Sequence, residues 1–179
     1  RFARAFYTLD DLHGLGHVIR VLENARRIHK KEGGDWSAIQ AMTWLHDVGR
    51  KSAAKLENHH AKISADLAET FLPKLELKQK TIQTIIDGIL SHSFSIGGTP
   101  ETLEAKILSD ADKLDAIGAV GVYRASAFQH DHNTGIDGML NHFDEKLLLL
   151  HNKLYLEESK KIAQVRTRRL KRFKKELLE

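Results

Sequence analysis

Apolar residues recur every three or four positions along most of this chain, which is the spacing of helices with one buried face. The clearest pattern predicts a helix from about Gly14 to Lys31, and further helices follow over residues 36–45, 59–72, 79–90, 101–115 with a restart after Gly118, 141–151 and 157–178. The stripe of the first helix comprises Val18, Val21, Leu22, Ala25 and Ile28. Few stretches alternate as a strand would. The pattern therefore predicts an all-α fold, a single-domain helical bundle of six to eight helices over residues 1–179.

Polar and small residues mark the expected ends of these helices. Asp35 is expected to be the N-cap of the second helix, and Thr99 with Pro100 is expected to cap the helix that follows. Residues 50–58 and residues 129–138 are polar and are predicted to be loops. Gly49 is interpreted as a break after the second helix.

Composition narrows the class of protein without naming a function. Apolar residues make up 41% of the 179 residues and charged residues 29%, as in ordinary soluble domains. The absence of Cys excludes disulfides, thiolate zinc sites and Cys nucleophiles. No apolar run reaches the roughly 18 residues of a transmembrane helix, so we expect a cytoplasmic protein with no membrane partner.

The net charge of +4 comes from one segment. Nine of the 28 Lys and Arg residues lie between Lys160 and Lys175, which contains no acidic residue. The rest of the chain has 19 Lys and Arg residues and 24 Asp and Glu residues, which gives it a net charge of −5. We interpret the basic segment as a solvated helix face, so a nucleic-acid partner is not expected.

Candidate ligand side chains interrupt the apolar helices. His46 and Asp47 end a strongly apolar helix, and His13 and His17 share a helical face. Three carboxylates, those of Asp110, Asp112 and Asp115, lie within six residues of another apolar helix. Clustered carboxylates repel one another unless a cation neutralises them, which favours a divalent metal. Periodicity does not choose between Asp110 and Asp112, because residues two apart point to different helix faces.

Four ordered motifs carry a family resemblance. They are HGLGHVIRV at 13–21, WLHDVGR at 44–50, HSFS at 92–95 and DADKLDAIGAVGVYRA at 110–125. Together they resemble the HD-domain superfamily of metal-dependent phosphohydrolases, in particular its small stand-alone members. The likeness extends through HFDEKLLLL at 142–150 and the final basic helix.

The resemblance implies a set of metal ligands. They are His17, His46, Asp47 and Asp112, with Asp112 preferred over Asp110 for its Ala-Asp-Lys-Leu context. Two imidazoles and two carboxylates suit Mn, Mg, Fe, Co, Ni or Zn. His60 and His92 occupy the places of two further His that some members use for a second metal. We expect a single ion, with His60 and His92 as phosphate contacts, and the two-metal site is the alternative.

The resemblance further implies hydrolysis of a phosphoester or phosphoanhydride in a nucleotide or similar small metabolite. Catalytic roles are expected for Asp47, Asp110 and Lys113, and phosphate binding for Arg20, Lys113 and Arg124. Arg50 is a further candidate beside the doublet, whereas Lys51 is expected to be a surface charge.

Two other functions compete with hydrolysis. One is a diiron oxygenase on the same scaffold, and the other is a non-catalytic regulatory or binding module that keeps the metal for stability. Guanosine tetraphosphate hydrolases of the superfamily carry Glu-Asp where this chain has Arg50 and Lys51, so that activity is not expected. A homodimer is a candidate assembly for this chain.

Overall fold

The computed structural model describes residues 2–56, 59–93 and 98–179, and none of these residues lies in a strand. The all-α prediction is therefore confirmed for the described residues, which form nine α-helices rather than the six to eight expected. They are α1 (Leu15–Glu32), α2 (Trp36–Leu45), α3 (Arg50–Leu56), α4 (His60–Phe71), α5 (Gln79–Ser91), α6 (Leu103–Asp115), α7 (Ala119–Asp131), α8 (Gly135–Glu145) and α9 (Glu157–Leu178). Short 3₁₀ segments lie at Ala3–Phe6, Leu72–Leu75 and Leu147–Lys153.

Contacts between residues divide the chain into two compact units. The first unit extends to Ala111 and the second from Asp112 to Glu179, so the division falls within α6. The prediction of one domain over residues 1–179 stays a prediction. None of the described helices combines the length and the apolar character needed to cross a bilayer.

The first unit is built around a close pairing of α2 with α5. Helix α2 also packs against α1, and α4 packs against both α5 and α3. A Cβ atom at Gly88 of α5 would lie 2.6 Å from the Met42 sulfur of α2, so a larger residue here would displace the Met42 side chain. The fully buried large side chains of this unit are Ile28, Ile39, Met42, Leu72, Ile85, Ile89, Ile107 and Leu108.

Carboxylates order the turn before α1 and cap the N-terminus of α2. Asp10 accepts hydrogen bonds from the backbone N–H groups of Leu12, His13 and Gly14 at 2.9, 3.0 and 3.1 Å, just before α1 begins. Asp35 accepts from Ser37 N at 2.9 Å, which confirms the predicted N-cap of α2. Asp10 thereby fixes the turn that leads into α1, and Asp35 fixes the N-terminus of α2.

Gly49 is required for a close helix approach rather than for a helix break. A Cβ atom at this position would lie 2.6 Å from Ser64 N and 2.7 Å from His60 O, both backbone atoms of α4. The Gly49 N–H also donates to Ser64 Oγ at 2.9 Å. The first turn of α4 therefore lies directly on the turn that follows α2.

The second unit packs α7 against α8 and α9, and its 3₁₀ segment against α8 and α9. Phe143 and Leu170 are fully buried in it, as are Leu114 and Ile117. Arg166, on the inward side of α9, donates to the Leu114 carbonyl at 2.6 Å.

The predicted loop over residues 50–58 is wrong for its first seven residues, which form α3. These residues are mostly Ala, Leu, Lys, Arg and Ser, whose helix propensity is adequate, but they carry no long apolar stripe for a periodicity argument to detect. Glu57 and Asn58 lie outside the described residues.

Two other boundaries also differ from the sequence prediction. Residues 129–138 are mostly helical, because α7 extends to Asp131 and α8 begins at Gly135. The buried residues Met139 and Phe143 anchor α8, one turn apart on its inner face. The hydroxyl that caps α6 is that of Thr102, which accepts a hydrogen bond from Ala105 N at 3.1 Å. The helix therefore begins at Leu103 and not directly after Thr99 and Pro100.

Replacing Gly49 by Ala tests the close approach of α4. The added methyl group would meet backbone atoms, which cannot move aside by a rotamer change as a side chain can. We therefore expect the free energy of unfolding to fall by about 1–3 kcal/mol. Thermal unfolding followed by circular dichroism measures the change. Ser64→Ala, which removes only the hydroxyl bonded to Gly49 N, should cost less. Equal melting temperatures for Gly49→Ala and the wild type would contradict the packing described for this turn.

The Asp10 cap predicts a pH-dependent contribution to stability. Burial is the largest single influence on the pKa of this carboxyl and raises it, but hydrogen bonds from Thr8 and three backbone N–H groups together lower the pKa from 3.8 to about 2. Because the folded-state pKa lies below the unfolded value, the stabilisation is present above pH 4 and is lost as the pH falls toward 2.

The measurement compares Asp10→Ala with the wild type at several pH values. At pH 6 the variant should be less stable by about 1 kcal/mol, as for other losses of a side chain that accepts backbone hydrogen bonds. The difference between the two melting temperatures should shrink as the pH approaches 2. A difference that stays constant from pH 6 to pH 2 would show that the ionised carboxylate is not what stabilises this turn.

Candidate metal centre

Three buried imidazoles come from helix ends of the first unit. His17 lies in the first turn of α1, and His46 and His92 are the C-cap residues of α2 and α5. Their exposed fractions are 1%, 0% and 2%. Burying polar rings is unfavourable unless they find partners, so a cluster of three indicates a specific role.

Backbone carbonyls fix the tautomers of two of these rings. His46 Nδ1 lies 2.8 Å from Thr43 O, and His92 Nδ1 lies 2.5 Å from Ile89 O. A carbonyl oxygen only accepts, so Nδ1 carries the proton in each ring. In the neutral, metal-binding form of each ring the lone pair is then on Nε2, which is the arrangement typical of metal-binding histidines.

The Nε2 atoms of His17 and His46 form a triangle with one oxygen of Asp47. The two nitrogen atoms are 3.4 Å apart, and Asp47 Oδ2 lies 3.8 Å from His17 Nε2 and 3.7 Å from His46 Nε2. The centre of such a triangle is about 2.1 Å from each corner, the length of a bond from a divalent metal to nitrogen or oxygen. The donors and their spacing therefore fit a metal ion.

The other oxygen of Asp47 faces two more imidazoles. Asp47 Oδ1 lies 3.3 Å from His60 Nε2 and 3.9 Å from His92 Nε2. Ligand atoms of His46, Asp47 and His92 all lie within 4.8 Å of one another, which is a second possible ligand group around the same carboxylate. His60 reaches this position because it begins α4, whose first turn rests on Gly49.

Arg50 holds the same carboxylate with two parallel hydrogen bonds. Its Nε donates to Asp47 Oδ2 at 2.8 Å, and its Nη2 donates to Oδ1 at 3.1 Å. The same Nη2 lies 3.3 Å from His60 Nε2. Arg50 begins α3, so the helix that the sequence analysis missed carries a residue of the site.

The surrounding charges keep Asp47 ionised. Burial acts to raise the pKa of this carboxyl, but the charges of His46, Arg50 and His92 and the Arg50 hydrogen bonds hold the pKa well below its usual range. Burial, followed by the Arg50 charge, lowers the pKa of His60 to about 3. His60 is therefore a neutral ring at pH 7.

Tyr7 lies near the cluster and was missed by the sequence analysis. Its hydroxyl donates to Trp44 O at 3.0 Å. Burial raises the pKa of this phenol above its usual range, and the Asp47 charge acts in the same direction. The phenol therefore stays protonated and links the N-terminal segment to the last turn of α2. No motif or periodicity in the sequence indicated this contact.

The remaining predicted residues of the first unit lie on α1 and α6. Arg20 binds Asp11, with Nη1 3.1 Å from Asp11 Oδ1 and Nη2 2.6 Å from Asp11 O. Asp110 is completely buried on α6. The first unit thus brings together five of the predicted residues, namely His17, His46, Asp47, His60 and His92, whereas Arg20 binds a different carboxylate.

In the second unit, the predicted residues lie on α6 and α7. Asp112 is half-buried, and Lys113 is buried with its ammonium 5.1 Å from the centre of the Tyr155 ring. Arg124 Nη1 donates to Asp115 Oδ2 at 2.8 Å. The HSFS motif is described only through His92 and Ser93, because Phe94 and Ser95 lie outside the described residues.

The chain is similar to several known proteins over most of its length. The chain is 29% identical over 173 residues to the uncharacterized protein YpgQ of Bacillus subtilis, covering 92% of this chain and 82% of YpgQ. A structure described as a predicted HD superfamily hydrolase from an uncultured Thermotogales bacterium superimposes with a TM-score of 0.76 at 28% identity, covering 98% of this chain and 87% of that one. A crystal structure of YpgQ in complex with ADP gives a TM-score of 0.80 at 23% identity, covering 98% and 89% of the two chains.

A sequence model of the HD domain matches residues 14–117. That range contains all four residues for which the resemblance implied metal ligation, His17, His46, Asp47 and Asp112. Since the match covers more than half of the chain, and the similar structures include HD-superfamily hydrolases, the protein belongs to the HD-domain family.

Proposed function

We propose that this protein is a metal-dependent phosphohydrolase that cleaves a phosphoester or phosphoanhydride of a nucleotide or a similar small phosphorylated metabolite. The observation that carries the proposal is the triangle of His17 Nε2, His46 Nε2 and Asp47 Oδ2, whose sides of 3.4, 3.7 and 3.8 Å suit one divalent ion. The buried, ionised carboxylate supplies charge, and the imidazole lone pairs supply directed donors.

Asp112 is proposed as the fourth ligand. Two contacts made by neighbouring residues of α6 support it. The Ala111 carbonyl accepts a hydrogen bond from Asn24 Nδ2 at 3.1 Å, and Asn24 lies two helical turns beyond His17 on α1. Ser109, one turn before Asp112, donates to His92 O at 3.3 Å. Two carboxylates would then balance the charge of a divalent ion.

A divalent ion bound by these ligands supplies a nucleophilic water at neutral pH and polarises a phosphoryl oxygen. The role of Asp47 is to remain ionised, which its low pKa ensures. We propose that Asp110, fully buried on α6, orients a water molecule or a ligand ring.

The phosphate group needs positive or hydrogen-bonding partners, because the ligand set is itself anionic. Lys113 is the proposed cation, one residue after Asp112, and its role is both to bind phosphate and to stabilise charge in the transition state. Arg20 and Arg124 bind Asp11 and Asp115, so a phosphate would share or compete for these two guanidinium groups.

His60 and His92 are proposed as phosphate contacts around a single ion. At pH 7 His60 is neutral, so it would contribute a hydrogen bond rather than a charge. Because both rings face Asp47 Oδ1, a second ion bound by His60 and His92 is the alternative arrangement. Counting bound metal per chain in the purified protein distinguishes one ion from two.

A nucleotide is the proposed substrate class. YpgQ, 29% identical to this chain, has been crystallised in complex with ADP. A phosphorylated ligand in a relative of this similarity supports a nucleoside phosphate here.

Hydrolysis of a nucleotide panel with Mn²⁺, Co²⁺ or Mg²⁺ tests the proposal. The wild type should release phosphate or pyrophosphate from at least one nucleotide, and chelation of the metal should abolish the release. Asp47→Asn removes the ligand charge while preserving shape, so we expect kcat/KM to fall by about 1000-fold, comparable to other losses of charge stabilisation at a reacting centre.

The matched control is His130→Ala, which removes an exposed imidazole whose side chain is 89% accessible. Its kcat/KM should equal that of the wild type. A metal-loaded wild type that hydrolyses no phosphoester or phosphoanhydride, combined with a lower melting temperature on metal removal, would favour the non-catalytic binding module instead.

A further inference from the structure

Arg50 and a bound cation require the same carboxylate. The guanidinium donates to both oxygens of Asp47, at 2.8 Å to Oδ2 and 3.1 Å to Oδ1. Oδ2 is also the oxygen that completes the triangle with His17 and His46. A carboxylate has enough lone pairs for a guanidinium and a metal together, so geometry alone does not exclude both.

Charge, however, opposes simultaneous binding. An ion at the centre of the triangle would carry two positive charges within a few ångströms of the guanidinium, in a region where burial weakens screening by water. The carboxylate supplies only one negative charge. The Arg50 fork therefore reduces the attraction of Asp47 for a metal.

The side chains of Asp47 and Arg50 differ in how much they are exposed to solvent. The Asp47 side chain is 1% exposed, whereas the Arg50 side chain is 36% exposed at the start of α3. The carboxylate is enclosed among imidazoles, whereas about a third of the Arg50 side chain is already exposed. If one of them moves when a cation binds, it is the arginine.

We propose that Arg50 is an intrinsic competitor of the metal at Asp47, displaced when the ion binds and thereby made available to bind the phosphate of the substrate. This inference rests on the proposed function for its metal and its substrate. The displaced guanidinium would exchange the Asp47 carboxylate for the substrate phosphate, because the two parallel N–H donors that match a carboxylate also match two phosphate oxygens.

Calorimetric titration of the metal-free full chain with Mn²⁺ tests the competition. Arg50→Gln removes the charge and the fork, so Mn²⁺ should bind about tenfold or more tightly than to the wild type, as expected for a like charge lost a few ångströms away at low dielectric. Lys51→Gln removes the same formal charge from the next, exposed residue. Its Mn²⁺ affinity should stay within about twofold of the wild type, because exposed charges are well screened.

A second readout does not depend on affinity. Without metal, Arg50→Gln leaves the buried Asp47 carboxylate with fewer compensating charges, so its melting temperature should fall by about 5 °C or more. Saturating Mn²⁺ should raise the melting temperature of Arg50→Gln more than that of the wild type. If the glutamine variant does not fold, Arg50→Lys replaces it, because lysine keeps the charge but loses the fork. Arg50→Lys should bind Mn²⁺ more tightly than the wild type and less tightly than expected for Arg50→Gln.

The sign of the change decides the question. Equal or weaker Mn²⁺ binding by the Arg50 variants would overturn the inference, because Arg50 would then be neutral or supportive toward the metal. A wild type that binds no Mn²⁺ would overturn it together with the metal centre. A wild type that hydrolyses nothing, with Arg50→Gln still binding Mn²⁺ more tightly, would remove the proposed function and leave the competition established.

Discussion

A single buried negative charge, on Asp47, governs the arrangement around it. A carboxylate that is almost fully enclosed is unfavourable unless cations or hydrogen-bond donors surround it. Here three buried imidazoles, the half-buried ring of His60 and a guanidinium converge on its two oxygens. The structure thus brings four imidazoles and one guanidinium to a single carboxylate, and the imidazoles and the carboxylate are the donors that a divalent ion would require.

Helix ends and one glycine produce this convergence. His46 and His92 terminate α2 and α5, where a backbone carbonyl from the last turn orients each ring. Gly49 allows α4 to approach the turn after α2, so that His60 reaches the same carboxylate. Because side chains at helix ends leave the regular packing of the core, the helical fold can present several ligands to one point without a strand or a long loop.

The sequence predicted the parts of this site that follow from periodicity and from ordered motifs. Apolar stripes located α1, α2, α5 and α9, and the motifs singled out His17, His46, Asp47, His60 and His92 as related positions. Periodicity did not detect α3, whose residues lack an apolar stripe. Missing that helix also concealed the spacing of three residues that lets Arg50 fold back on Asp47. Contacts between distant segments, such as Tyr7 with Trp44, leave no local signal and required the structure.

Anomalous scattering from a crystal grown with Mn²⁺ can show whether His17, His46 and Asp47 bind one divalent ion. The account predicts a peak about 2.0–2.3 Å from His17 Nε2, His46 Nε2 and one oxygen of Asp47, as metal–ligand bonds require. A crystal in which Mn²⁺ is bound only at exposed groups such as His130 and Asp131, with no peak between His17 and Asp47, would contradict it.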